Sequence, residues 1–593
     1  KSKFPLFTQI NVLKYYTNSK KLIVTVLDTA GAPATDASVK YLLYNYSEFY
    51  PIYEKGTDEQ GISSITSGLG DLVVWAWKEG AYGYKLVSLS STDSVSVTLD
   101  RSRGAEYAED LDITPPAAGA VNLSGSNKGE SHNANRLKYE DSLRGAYLAT
   151  FMTRAKASEL AIKTGLDTAL VCRFISKSEG NWSDISQFIE KNAGNENTLS
   201  LLATLSDKDL RDTPLKILQS HLDNTPLFDS ASGYGRDVYN EGILAPGASY
   251  ELIRDWRAVL KTKFADILKG SPSVASIQEW VAKNVIIDPD GNYPKCPISP
   301  AGVSRVLRAD KLSRDIFFVA LCRTYGIPAK IDKATSVILV YTQGRWAPVS
   351  FEKKKTTINF GSLTLTTKAD KTSAPQYWTN FTIARFENGS FVALDFENDS
   401  RVAKFPATLS LEEGYYRICT GNRMTDGSVL VHNEYFKIQK DSSLTKELVI
   451  RELPVKGEVF GTLSEDLKPQ LKNSKGLVIC FIDPDKEPTK HIMTELPALK
   501  SEFDKLGAEF IFVVPQSKLS KGFTFESYKG LPAKSRLMSD NGEKIQTGLA
   551  KDSKHTFSGN YPFIVTINPR NEIVFVSEGY KIGLAQFIYK SLL

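Results

Sequence analysis

The most specific part of the sequence is the stretch Ala309-Asp310-Lys311-Leu312-Ser313-Arg314-Asp315-Ile316-Phe317-Phe318-Val319-Ala320-Leu321-Cys322-Arg323-Thr324-Tyr325-Gly326-Ile327-Pro328-Ala329-Lys330. Its middle is an apolar run, and an arginine followed by the turn sequence Gly-Ile-Pro-Ala closes it. Cys322 lies within the apolar run, so we expect it to be a buried side chain that packs as a small hydrophobe. The stretch itself therefore offers no reactive cysteine.

The composition of the whole chain limits the class of protein. At about 150 residues per domain, 593 residues suggest about four domains. Lys and Arg number 73 against 68 Asp and Glu, and a net charge of +5 gives no reason to expect a nucleic-acid partner. A hydrophobic fraction of 41% can fill several cores and excludes wholesale disorder. No apolar run reaches the roughly 18 residues of a membrane helix.

Cysteines and histidines do not form a disulfide framework or a metal site in this sequence. The five cysteines are odd in number and far apart, and the five histidines form no HExxH or paired Cys–His pattern. The segment Asp288 to Asn292 begins like a calcium loop but lacks the distal Glu, so a plain turn is expected. We therefore expect no metal and no cofactor. Because residue 1 is Lys, we expect a processed product or a fragment whose targeting segment is gone.

Two parts of the chain are typical of β-sandwiches. Short β-branched runs with Gly and Asp turns over 1–100 predict an immunoglobulin-like β-sandwich, and the same pattern over 356–450 predicts a second one. Between the first sandwich and the helices that follow, 101–135 predicts a linker or strap. Within it, the stretch from Pro115 to Asn127 offers little to bury and is expected to be accessible to proteases.

The remaining regions contain helices. Apolar periodicity over 136–275 predicts a helical region, which runs into a separate core over 276–355. Strands and helices alternate over 451–593 and predict a small α/β domain. The expected fold class is therefore multidomain α+β.

A cluster of tyrosines in the first predicted sandwich has two interpretations. The rings are suited to binding sugar by stacking, but aromatic residues also favour strands and fit the core and rim of a sandwich. Both interpretations stay open for Tyr41, Tyr44, Tyr46, Tyr50 and Tyr53.

The stretch from Ala309 to Lys330 resembles the core helix of the transglutaminase-like (papain-type) superfamily. In that superfamily an amphipathic helix ends in an arginine, matched here by Arg323, and a Gly-Ile-Pro-Ala turn leads into the first core strand. Trp346 and Val349 match the third strand. The helical region and both sandwiches also resemble large multidomain transglutaminase-like proteins of Bacteroidetes.

The resemblance implies catalytic positions that this chain does not fill. The superfamily uses a cysteine at the start of the core helix, a histidine on the next strand and an orienting aspartate. Lys311 and Ser350 stand at the first and last of these positions, and no histidine occurs between His221 and His432. Ser313 as a replacement nucleophile would lack a base. We therefore expect a binding groove, with residues Lys311, Ser313, Trp346 and Ser350.

Cys296 keeps a catalytic alternative open. It follows Lys295 in a proline-rich loop and is the only plausible reactive thiol of the chain, with a distant histidine such as His221 as its base. On this alternative the chain is a transglutaminase-like cysteine peptidase; otherwise Cys296 is an ordinary loop thiol. A carboxylate cluster defines no glycosidase site from sequence alone and is expected to be a solvated strand end: Asp395, Glu397 and Asp399.

The predicted domain over 451–593 resembles thioredoxin-like proteins. Tyr561-Pro562-Phe563 resembles the cis-proline strand of that fold, so we expect a cis peptide bond before Pro562. The redox Cys-x-x-Cys should follow Phe481-Ile482, where no cysteine occurs, and Cys480 lies within the strand. Disulfide exchange needs two thiols, so we expect a redox-inert domain. The loop opposite the proline then contains Glu487, Pro488 and Thr489.

Taken together, these patterns and resemblances predict a non-catalytic, extracytoplasmic binding or scaffold protein of the periplasm or cell surface. Its expected ligand is a peptide or a glycan, bound at a degenerate transglutaminase-like core. Neither nucleic acid nor a membrane span is expected.

Overall fold

The structure, a computed structural model, describes residues 2–3, 5, 7–116, 128–292, 295–351, 358–368, 374–424, 427–452, 459–472, 475–518, 524–579 and 583–593. The chain forms two compact units, one of Lys1–Val121, Gly361–Ser410 and Gly414–Leu593, the other of Asn122–Phe360 and Leu411–Glu413. Helices and strands are both abundant, which confirms the predicted multidomain α+β class. Most of the predicted protease-accessible stretch, 117–127, lies outside the described residues.

The first unit begins with a β-sandwich, as the alternating strands predict. A short hairpin, Ser2–Lys3 with Thr8–Gln9, precedes it. One sheet has the strand order Arg101–Ser102, Ala81–Ser88, Asp71–Lys78, Ser38–Asn45 and Glu48–Gly56. The facing sheet has the order Ile62–Gly68, Ser19–Leu27 and Ser94–Thr98. Apolar side chains at alternate positions of these strands fill the space between the sheets, among them Leu22, Val24, Val39, Tyr41 and Val74.

A second pair of sheets belongs to the same unit. The larger has the order Tyr107–Ile113, Val429–Ile438, Gly414–Arg423, Phe381–Glu387 and Ser390–Ala393. The smaller has the order Ala407–Glu412, Phe360–Thr366 and Ser443–Glu447. The buried side chains of these strands are mostly aliphatic or aromatic, as a sandwich requires.

Part of the segment predicted as a linker or strap, 101–135, is an integral strand. Tyr107–Ile113 pairs along its whole length with Val429–Ile438, more than 300 positions later in the chain. The alternation of half-buried Tyr107 and Leu111 with exposed Asp110 and Asp112 suits an edge strand, but the acidic residues obscured that signal in the sequence. The helical region and the core are therefore inserted between the first strand of the second sandwich and the rest of it.

The two five-stranded sheets of this unit pack against each other through aromatic side chains. The Trp75 ring meets Phe391 of the other sheet edge-on with centroids 5.9 Å apart, and its indole N–H donates to the carbonyl of Gly389 at 2.8 Å. Glu48 and Arg417 form an ion pair that is almost fully buried in this junction. The junction thus fixes how the two sandwiches meet.

The second unit is mostly helical. Its α-helices are Lys128–Leu148, Arg154–Thr164, Thr168–Ser178, Trp182–Lys191, Thr198–Ala203, Asp207–Asp212, Leu215–Asn224, Arg236–Tyr239, Arg257–Phe264, Val274–Asn284, Pro300–Val306 and Lys311–Thr324. The last of these, the core helix, packs on an antiparallel sheet of Ala329–Ile331, Ile338–Thr342 and Arg345–Val349. Two short strands, Ile286–Ile287 and Arg308–Ala309, pair in parallel.

The C-terminal domain is built on a six-stranded mixed sheet. Its order is Gly461–Thr462, Glu572–Glu578, Phe563–Ile567, Leu477–Phe481, Glu509–Val513 and Ser535–Met538, and the last three strands are parallel. Its α-helices are Glu487–Glu495, Lys500–Leu506, Lys544–Asp552 and Leu584–Ser591. Apolar clusters cover both faces of the sheet. The peptide bond between Tyr561 and Pro562 is cis, which confirms that prediction.

Candidate functional site

The start of the core helix is where the resemblance places the superfamily's catalytic cysteine, at the position that Lys311 occupies in this chain. Asp310 caps this helix, because its carboxylate accepts the backbone N–H of Ser313 at 3.0 Å. The same carboxylate accepts the Ser313 hydroxyl at 2.7 Å and the side-chain amide of Asn292 at 2.5 Å. Burial opposes ionisation of Asp310, but these hydrogen bonds outweigh it and lower its pKa. The site therefore contains a charged, fully engaged carboxylate.

Ser313 lies at the centre of this network. None of its surface is exposed, and its Oγ also accepts the backbone N–H of Ile298 at 2.8 Å. One hydroxyl thus ties the helix to the loop that contains Asn292 and Ile298. Because the hydroxyl is sealed from solvent, a substrate cannot reach it in this arrangement.

The other predicted groove residues lie at different places along the core helix. Lys311 is exposed at its first turn. Ser350 also lies near that end, because the Arg314 guanidinium lies 4.2 Å from the ring centroid of the next residue, Phe351. The backbone carbonyl of Ser350 accepts the side chain of Gln278.

Trp346 lies near the opposite end of the core helix. The Nζ of Lys330, just after the helix and its closing turn, is 4.3 Å from the centroid of the Trp346 ring, and Tyr341 meets the ring edge-on. A helix of this length spans about 20 Å, so Trp346 does not share one short groove with Lys311 and Ser313.

Cys296 and His221 do not form the predicted alternative pair. Cys296 is exposed. His221 is fully buried, and its Nε2 donates to the carbonyl of Arg254 at 3.0 Å. Burial, together with the nearby Arg257 guanidinium, lowers the pKa of His221 to about 3. A buried histidine that stays neutral and bonded to the backbone cannot serve an exposed thiol as its base.

The loop of the C-terminal domain that the resemblance aligns with the redox motif of thioredoxin-like proteins contains no cysteine. Thr489 is buried, and its hydroxyl accepts the backbone N–H of Asp483 at 3.2 Å. Glu487 is exposed and pairs with Lys490 at 3.2 Å. Burial raises the pKa of the Cys480 thiol in the preceding strand, which keeps it protonated.

The loop before the cis proline of this domain, Pro562, is held by hydrogen bonds to the carboxylate of Glu578. Glu578 accepts hydrogen bonds from the backbone of Ser558 and Asn560, and from the His555 ring at 2.9 Å. Although burial opposes it, these bonds lower the pKa of Glu578 to about 2. The sequence analysis missed this residue, because its partners lie 18 to 23 positions away and share no local motif with it.

The carboxylate cluster of the second sandwich has structural roles. Asp395 accepts the indole N–H of Trp378 at 3.4 Å and the backbone N–H of Glu397 at 3.2 Å. Asp399 caps a short 3-10 turn and pairs with Arg401 at 2.6 Å. These contacts do not place two carboxylates across a cleft as a glycosidase requires.

Within the part of the chain that the structure describes, no group of three or more His, Cys, Asp or Glu side chains could hold a metal ion. Over the same residues, none of the helices combines the length and the apolar character needed to cross a bilayer.

Known proteins show little similarity to this chain. No family model and no curated protein matches it. Among solved structures, StoA from Bacillus subtilis is 12% identical and covers 24% of this chain and 100% of its own, with a TM-score of 0.16. Peroxiredoxin Q from Xanthomonas campestris is 22% identical and covers 24% of this chain and 95% of its own, also with a TM-score of 0.16. Similarity at this level assigns the chain to no family.

Proposed function

We propose that this chain is a non-catalytic binding or scaffold protein of the periplasm or cell surface, built on a degenerate transglutaminase-like core. The observation that carries the proposal is the sealed start of the core helix, where Asp310, Ser313 and Asn292 form a closed hydrogen-bond network. In active relatives this place holds an accessible thiolate. Here it holds a fully buried hydroxyl and an exposed lysine, Lys311.

The C-terminal domain supports the same proposal. Its central strands have the order Glu509–Val513, Leu477–Phe481, Phe563–Ile567 and Glu572–Glu578. The first pair of neighbours is parallel, and the other two pairs are antiparallel. That order is the one expected for a thioredoxin-like domain. With Thr489 and Glu487 in the loop and Cys480 buried, the domain would recognise or support a partner without exchanging disulfides.

The proposed ligand is a peptide or a glycan that the protein holds without cleaving it. The extracytoplasmic location rests on the resemblance to Bacteroidetes proteins of this architecture. The cysteine peptidase alternative has less support, because His221 is buried and bonded to the backbone while Cys296 is exposed.

Turnover assays test this proposal. The purified chain is incubated with a labelled peptide library and, separately, with a glutamine donor and a fluorescent amine; we expect no product above buffer. Lys311→Cys should also be inactive, because no histidine is placed to activate the new thiol. An insulin-reduction assay should likewise show no activity.

The matched control is Cys296→Ala. If the wild-type chain cleaves or crosslinks a peptide and Cys296→Ala does not, the chain is a cysteine peptidase or transglutaminase and the proposal is wrong. Activity that persists in Cys296→Ala would also contradict it, by pointing to another catalytic site.

A further inference from the structure

An aromatic patch in the first unit is not used by the proposed function. We define the aromatic patch as Tyr46, Tyr50 and Trp378. Tyr46 is 55% exposed and Tyr50 is 37% exposed. The rings of Tyr50 and Trp378 are inclined by only 25°, with centroids 6.2 Å apart. Two neighbouring sandwiches thus bring two nearly parallel aromatic rings together, the exposed Tyr50 from one and the half-buried Trp378 from the other.

The backbone under the patch is held in an unusual conformation. Tyr46 and Ser47 form the tight turn between strands Ser38–Asn45 and Glu48–Gly56 with φ values of 47° and 51°, and Trp378 has a φ of 66°. Residues other than glycine rarely adopt φ values in this left-handed region, and residues with bulky side chains do so least. Such outliers persist only where the surroundings enforce them.

Hydrogen bonds from the second sandwich enforce this conformation. The Ser47 hydroxyl donates to the carbonyl of Thr379 at 3.0 Å, and the Thr382 hydroxyl donates to the carbonyl of Ser47 at 2.7 Å. Ser47 is buried. The turn that presents Tyr46 and the loop that presents Trp378 are therefore fixed to each other, and the patch is preorganised.

Carboxylates border the patch. Asp395 accepts the indole N–H of Trp378 at 3.4 Å and so orients the ring. Burial, followed by the charges of Glu48 and Asp395, raises the pKa of Tyr50 to about 12. The edge of the patch thus offers a negatively charged hydrogen-bond acceptor, the Asp395 carboxylate, and the exposed Glu397 lies two residues further along the chain.

We propose that the aromatic patch binds a pyranose ring of an uncharged polysaccharide. The C–H face of a sugar would stack on Tyr50 and Trp378, and sugar hydroxyls would donate to the carboxylates at its edge. The negative edge disfavours acidic sugars. This site shares no residue with the core helix, so it goes beyond the proposed function and each can fail without the other.

Two other occupants fit the patch less well. A cage for a quaternary ammonium group needs rings that surround the cation, whereas these two rings are nearly parallel. A peptide added as a further strand would need a regular free edge on strand Glu48–Gly56. That strand contains Pro51, and its pairing with Ser38–Asn45 shifts register between Tyr41 and Leu42, so its backbone is not regular there.

Affinity electrophoresis of the full chain tests the proposal. The gels contain amylopectin, galactomannan, xyloglucan or polygalacturonate. We expect at least one of the three neutral polymers to retard the wild-type chain and polygalacturonate not to. Trp378→Ala and, separately, Tyr50→Ala should weaken that retardation about tenfold or more in apparent Kd. Tyr250→Ala removes an exposed tyrosine of the other unit and should leave it unchanged.

Each contrary result overturns the proposal. Absence of retardation by all three neutral polymers rejects a polysaccharide site, and equal retardation of the wild type and both variants moves the site elsewhere. Preferential binding of polygalacturonate contradicts the role given to the carboxylates. Tryptophan fluorescence titrated with choline forms a further arm, and saturation by choline without sugar binding would assign a cation cage. Circular dichroism verifies that the variants fold, and Tyr50→Phe, which keeps the ring, should retain binding.

Discussion

The two helices at which catalytic chemistry would be expected begin in opposite ways. The core helix begins after its N-cap residue Asp310, whose carboxylate accepts hydrogen bonds from the Ser313 hydroxyl and the Asn292 side chain. The helix Glu487–Glu495 has no side-chain cap, and its first turn contains a proline and exposed charged groups. The first site has been closed by polar contacts, whereas the second is open to solvent without a nucleophile. The start of a helix is therefore sealed or left open according to whether neighbouring side chains form hydrogen bonds across it.

The largest effect on stability is expected at the C-terminal end of the core helix. Arg323 is fully buried and donates to the carbonyls of Glu241, Ala245, Gly247 and Ala329 at 2.7–3.1 Å. Arg323→Leu leaves these acceptors without a donor, so we expect the free energy of unfolding in urea to fall by about 3–5 kcal/mol.

Arg345→Leu, at an exposed arginine of the neighbouring sheet, is the matched control and should change that free energy by less than about 0.5 kcal/mol. Similar values for the two variants would show that the helix does not depend on its buried C-terminal contacts.

The next test concerns the strongest polar network of the C-terminal domain. Glu578→Gln weakens bonds to Ser558, Asn560 and His555, and we expect it to lower the free energy of unfolding near pH 7 by about 1.5–3 kcal/mol. The measurement is urea unfolding followed across pH.

The pH dependence of this effect has a defined sign. The folded pKa of Glu578 is about 2, below its ordinary value of 4.5. The stabilisation is thus complete above pH 4.5 and disappears as the pH falls through about 2. The difference between wild type and Glu578→Gln should therefore shrink on acidification; a difference that stays constant down to pH 2 would contradict the assignment.

A smaller effect is expected at the sealed site itself. Asp310→Ala removes the cap of the core helix and leaves the Ser313 hydroxyl without its acceptor, for a loss of about 1–2 kcal/mol in chemical unfolding. Asp310→Asn can still cap the helix and should recover most of that loss. Should Asp310→Ala prove neutral, the network would not hold the site closed.

The smallest effect is expected at the open site. Glu487→Ala removes an exposed ion pair with Lys490 and should change the free energy of unfolding by less than about 0.5 kcal/mol. Thermal unfolding of this variant beside Asp310→Ala gives the direct contrast between the two helix starts. A larger loss for Glu487→Ala than for Asp310→Ala would reverse the comparison.

Local sequence patterns carried much of the fold. The alternating strands of the first sandwich, the strand at Leu477–Phe481 and the cis bond before Pro562 were all predicted from neighbouring residues and local resemblance. The buried state of Cys322 followed from the apolar run around it. These features depend on periodicity and turn chemistry, which act over a few residues.

Other features depend on contacts between distant parts of the chain. Tyr107–Ile113 is a strand because Val429–Ile438 pairs with it, and no local sequence pattern indicates which strand is the partner. The separation of Trp346 from Lys311 follows from which end of the core helix each residue contacts.

The sequence by itself determined that the cysteine, histidine and aspartate expected by resemblance are missing at their matching positions, because residue identity at a position needs no structure. Only the tertiary structure decided that Ile298 bonds the buried Ser313 hydroxyl, that Asn292 bonds Asp310, and that Tyr50 lies beside Trp378, more than 300 positions away. Burial and side-chain juxtaposition arise from the packing of distant segments, whose energies are summed over the whole fold and are not encoded in any short stretch.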